Sequence, residues 1–160
     1  MFRTLLIVST LLLIARSSAA QTVLRAYVGK DAKAHIVYST GDTAITGEKD
    51  QAGVDEIAVA PNQHTVAWDE LVDNPDTSYP IPLAVVVYNA GKKIVISPDA
   101  QMVHRFRFVG SGDRIAILFG PVHGDATGAK LYNCDTGEVR ASWDLKGPVP
   151  PWAKGFDKEE

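Results

Sequence analysis

The stretch Ile57–Trp68 reads IAVAPNQHTVAW, and 49 residues further on Phe106–Ile117 reads FRFVGSGDRIAI. Setting Ile57 on Phe106 places Val59 opposite Phe108 and Pro61, Asn62 and Gln63 opposite Gly110, Ser111 and Gly112. It also places Val66-Ala67-Trp68 opposite Ile115-Ala116-Ile117. Two short apolar runs joined by turn residues read as a β-hairpin. A second hairpin pattern occurs three times: IVYSTGDTAIT at 36–46, VVYNAGKKIVI at 86–96 and LYNCDTGEVRA at 131–141. In each, Tyr38, Tyr88 or Tyr132 closes the first strand, and Gly41, Gly91 or Gly137 supplies the positive φ of the turn. The order along the chain is a half unit, a full unit and a full unit. A four-stranded unit cannot cover its own apolar faces, so copies of it stack.

The rest of the chain agrees with an all-β fold of stacked antiparallel four-stranded blade-like sheets. No window carries a sustained 3.6-residue apolar period; β-branched and aromatic runs alternate with turn residues instead. Ten strands fit this pattern. VHRFRFV at 103–109 puts Phe106 and Phe108 on one face and Arg105 and Arg107 on the other, with the arginines expected in solvent beside His104. LAVVVY and RIAILF do not alternate, so both of their faces are expected to be covered.

APNQHTVAW resembles the strand-turn-strand of TolB-type propeller repeats, and LYNCDTGEVRASW resembles the closing hairpin of WD-type and quinoprotein propellers. The resemblance covers residues 34–143 and implies β-propeller-like blades. The Trp-Asp pairs of WD-type blades occur as Trp68-Asp69 and Trp143-Asp144. The resemblance implies no cofactor, because the quinoprotein ring that holds one needs many more blades. Closed propellers need about four blades, and two and a half are present. The expectation is an open, sandwich-like stack; the alternative is a subunit whose homo-oligomer completes a ring.

Residues 1–20 read as a signal peptide: Arg3, an apolar run from Leu5 to Ala15, and small residues Ser18, Ala19 and Ala20 before a cut. The run is 11 residues, against the roughly 20 that span a bilayer, so no stable membrane insertion is expected after cleavage. An exported protein, periplasmic or secreted, follows. From Gln21 onward 14 basic residues face 19 acidic ones, a net charge of −5, which argues against nucleic acid as a partner. The domain organisation expected is a repeat-built β domain over 21–145 and a Pro-rich tail over 146–160. In that tail, Trp152 is expected to fold back over an exposed sheet edge or seam. The single cysteine, Cys134, forms no intrachain disulfide and is expected to be buried.

The two units differ most in the loops 69–82 and 120–129, the natural place for a binding site. The candidate binding residues are Trp68, Asp69, Glu70, Asp73, Tyr79, His123 and Asp125, with a protein or glycan as partner. No catalytic constellation is legible: GSGD at 110–113 lacks the frame of a hydrolase elbow, and GDATGAK at 124–130 lacks phosphate-loop spacing. A non-enzymatic binding or scaffold module is therefore the first expectation. A metal-dependent binder or hydrolase-like enzyme using His123 and the loop carboxylates is the second, because imidazole and carboxylates are the donors such chemistry requires.

Overall fold

A computed structural model describes residues 21–45 and 50–156 of the chain; the leader read at residues 1–20 lies outside them. The described residues form eleven strands in three antiparallel sheets and no closed barrel. The first sheet is β1 (Val23–Val28), β2 (Ala34–Tyr38) and β3 (Gly41–Ile45). The second is β4 (Gln51–Val59), β5 (Thr65–Val72), β6 (Ile81–Asn89) and β7 (Lys92–Ile96). The third is β8 (Met102–Val109), β9 (Arg114–Gly120), β10 (Gly128–Asn133) and β11 (Val139–Trp143). Within each sheet every strand pairs with its neighbours in the chain, so each is an antiparallel meander. The first sheet has three strands and not two, because β1 pairs along β2 from Val23 to Val28.

The sheets stack through their side-chain alternation. Val66, Trp68 and Val86 of the second sheet meet Val23, Ala34 and Ile36 of the first. Ala67, Val85 and Val87, one residue out of phase, meet Val103, Phe106, Ile115 and Ile117 of the third. Successive side chains of a strand point to opposite faces, so β5 and β6 feed both interfaces, and the non-alternating run LAVVVY is covered on both sides. RIAILF is covered likewise: Ile115 and Ile117 face the second sheet while Ala116 faces away.

The aligned turns also touch. The Asn62 amide donates to the Ser111 carbonyl at 2.8 Å, and the Val23 amide donates to Gln63 at 2.8 Å. Gly112, at φ 109, leaves no room for a side chain: a Cβ there would lie 2.4 Å from Ala60. Gly41, Gly91 and Gly137 all have positive φ, as the hairpin reading requires. The three tyrosines are not all equivalent, however. Tyr88 and Tyr132 each face the sheet preceding their own. No sheet precedes the first, so Tyr38 faces forward and packs against the same cluster as Tyr88.

The tail covers the outer face of the third sheet. Ala153 and Phe156 are buried against Ala116, Ala129 and Leu131, with Trp143, Val149 and Trp152 packed around them. The expectation that Arg105 and Arg107 are both solvated holds for Arg105, which is exposed, and is corrected for Arg107, which is half-buried. The Arg107 guanidinium donates to the Lys154 carbonyl and lies 5.9 Å over the Phe156 ring, while Arg105 approaches the Gly155 carbonyl at 3.5 Å. The Arg107 side chain lies across the tail and clamps it, while the Arg105 guanidinium stays exposed.

Phe156→Ala should cost about 3 kcal/mol, the cost of emptying a buried aromatic site. Urea unfolding measures this, and limited proteolysis should show the tail cut faster. Leu24→Ala, at a 64 % exposed position, should change stability by less than about 0.5 kcal/mol.

Candidate functional site

Three of the candidate binding residues belong to the scaffold. β5 does not stop at Trp68: its pairing with β6 continues through Asp69↔Val85, Glu70↔Ala84 and Val72↔Ile81. The loop that follows is correspondingly shorter than 69–82, spanning 73–80. Trp68 is 1 % exposed and packs between the first two sheets, 6.3 Å from the Tyr88 ring, with no hydrogen-bond partner for its Nε1 among the described residues. Glu70 is buried on the same face of β5. Asp69 is buried on the opposite face and has a backbone task.

That task lies at a repeated irregularity. Opposite Asp69, β4 carries two residues, Asp55 and Glu56, between the pairs Val54↔Glu70 and Ile57↔Trp68. Asp69 Oδ1 accepts both of their amides, from Asp55 at 3.2 Å and from Glu56 at 2.5 Å. The extra residue of a β-bulge leaves backbone groups without ladder partners, and this carboxylate supplies the acceptor. At the equivalent place in β8, His104 and Arg105 stand opposite Leu118, between Val103↔Phe119 and Phe106↔Ile117. The bulge recurs, but the stapling carboxylate is replaced by leucine. His104 Nε2 is buried there with no partner among the described residues. The charge of the Arg105 guanidinium partly offsets the burial that raises the Glu56 carboxyl. Burial pushes Asp69 up to about 6, against the pull of the two amides it accepts.

The exposed candidates lie in two separate loops. Residues 73–80 surround a cleft of about 450 Å3 lined by Asp73, Asn74, Thr77 and Tyr79 with two prolines. The loop is internally braced: Asn74 Oδ1 accepts the Asp76 amide at 3.0 Å, and the Thr77 hydroxyl donates to the Tyr79 carbonyl at 2.6 Å. Tyr79 is 56 % exposed. In the second loop, residues 121–127, His123 and Asp125 are both exposed. Thr127 ties this loop down, its amide to the Phe119 carbonyl at 2.9 Å and its hydroxyl to Gln101 at 3.1 Å.

The structure does not gather His123 with the carboxylates of the first loop. Among the described residues no group of three or more His, Cys, Asp or Glu side chains is placed to hold a metal ion. The histidine that has a carboxylate partner is His35, whose Nε2 lies 3.0 Å from Asp31 Oδ1. Cys134 is buried as expected, and burial, with Asp135 and Asp113 nearby, pushes its thiol up to about 12. Sequence reading missed Asp55 and Glu56, and it named His104 and Arg105 without seeing their bulge. The signal was present, in the extra residue that the first strand of each four-stranded sheet carries relative to its partner, but it emerges only when both registers are known.

Known protein families include none whose model matches this chain, and no curated protein sequence matches it. Among the described residues no helix is long and apolar enough to cross a membrane.

Asp69→Ala leaves two partly buried amides without an acceptor and should cost about 2 kcal/mol. Asp69→Asn keeps an acceptor and should cost much less at neutral pH. The folded carboxyl titrates near 6, above the unfolded value of about 3.9. Its stabilisation is thus full below about pH 4 and lost as pH rises through 6. Stability curves should therefore show Asp69→Asn gaining on the native protein between those pH values. Cys134 should resist a maleimide in the folded protein and react on unfolding, since the thiolate is the nucleophile.

Proposed function

We propose that the chain is an exported, non-enzymatic binding module in which a rigid stack of blade-like sheets presents the 73–80 loop to a protein or glycan partner. The carrying observation is Tyr79. A large aromatic ring stands 56 % exposed in a loop braced by its own hydrogen bonds, beside the carboxylate of Asp73 and the amide of Asn74. Tyrosine offers a rigid amphipathic face at low entropic cost, and an already braced loop loses little freedom on binding. A ring flanked by hydrogen-bonding carboxyl and amide groups suits a glycan, whose C–H face stacks on the ring while its hydroxyls meet the polar groups. The −5 balance and the leader read at 1–20 support an extracytoplasmic setting without a nucleic-acid partner. The exposed His123 and Asp125 of the second loop extend the same end of the stack, because both loops join the second strand of a four-stranded sheet to the third.

A glycan array with the purified protein tests this. Tyr79→Ala should abolish the selected binding, and replacing 73–80 by a short Gly-Ser turn should do the same without lowering stability by more than about 1 kcal/mol. Unchanged binding in both variants refutes the loop assignment.

A further inference from the structure

The bulge of β8 opens onto a second cleft, separate from the Tyr79 loop, and its chemistry differs from that loop's. The cleft holds about 310 Å3, at the small end of the range for ligand sites. His104 and Arg105 of the bulge form one wall, Leu118, Leu145 and Phe156 the apolar ones, and the backbone of 124–126 the last. Two features distinguish it from an ordinary surface depression. His104 Nε2 is shut off from solvent against Gly120, with no hydrogen-bond partner among the described residues. The Arg105 guanidinium is exposed, and its one hydrogen bond among the described residues is the 3.5 Å approach to the Gly155 carbonyl. Its donors are therefore largely unspent at the mouth of a cleft with apolar walls. The repeat sharpens the point. In the second sheet the same backbone irregularity is closed by Asp69, whereas in the third Leu118 stands in that place and no described residue supplies a carboxylate there. Bulges of this kind commonly sit beside binding sites and re-aim side chains toward them.

We propose that this cleft binds a small organic monocarboxylate with an apolar body, its carboxylate on Arg105 and its body against Leu118, Leu145 and Phe156. The planar guanidinium matches a carboxylate in a two-bond fork. The apolar walls favour a ligand with a hydrocarbon body over inorganic phosphate. The exposed Asp125 at the rim and Glu56 behind Arg105 oppose a second negative charge. The site does not rest on the Tyr79 reading.

Titration of the purified protein with phenylacetate, inorganic phosphate and phenethylamine, followed by amide NMR shifts, tests the proposal. Phenylacetate should saturate, with shifts centred on Arg105, Ala126 and Phe156, and Arg105→Gln should weaken it at least about tenfold at unchanged Tm, the loss of a charged hydrogen bond. Tyr79→Ala should bind it as the native protein does. Phosphate and phenethylamine should leave those amides unmoved. Absence of saturable phenylacetate shifts at this cleft, equal affinity in Arg105→Gln, or equal binding of phenethylamine would each overturn the assignment.

Discussion

Covering two apolar faces at once is the constraint from which this structure follows. The central sheet, β4 to β7, buries Val66, Trp68 and Val86 on one side and Ala67, Val85 and Val87 on the other. A sheet so constituted is stable only between two others, because every exposed apolar side chain forfeits its transfer free energy. The two ends of the stack are finished differently. The third sheet is closed by the chain's own tail through Ala153 and Phe156. The outer face of the first carries side chains that tolerate water: Arg25 lies 5.1 Å over the Tyr27 ring, and Tyr27 stacks on His35 at 5.1 Å.

Stacking copies of one unit also copies its defects. The bulges at Asp55-Glu56 and His104-Arg105 occupy the same place in the hairpin register, opposite Asp69 and Leu118. The backbone irregularity is common to the first strand of both four-stranded sheets, while the side chains at it differ. One copy spends a buried carboxylate on closing it, and the other leaves a histidine nitrogen unpartnered and an arginine facing outward.

The division between scaffold and recognition follows the same logic. The turns at 61–64 and 110–113 are locked to one another by the Asn62–Ser111 hydrogen bond, which leaves no freedom at that end. The opposite end carries the 73–80 and 121–127 segments, held by internal bonds from Asn74 and Thr77 in one case and by Thr127 in the other. Loops braced in this way are ordered in advance, and pre-ordered surfaces lose least freedom on contact.

Much of this was legible in the linear chain. The paired hairpins, the turn glycines, the open all-β stack and the burial of Cys134 all rest on local signals: alternation, turn chemistry and repeat spacing, which neighbouring residues decide among themselves. The tertiary structure decided the rest. Asp69 and Glu70 look like loop residues because acids are uncommon in strands; only pairing with β4 and β6 on both sides makes them strand, and only the β4 bulge gives Asp69 its two amides. Arg107 looks solvated until the tail arrives from 47 residues away. Tyr38 looks like Tyr88 and Tyr132, yet faces the other way, because which side of a sheet is covered depends on what precedes it in the stack and not on its own residues.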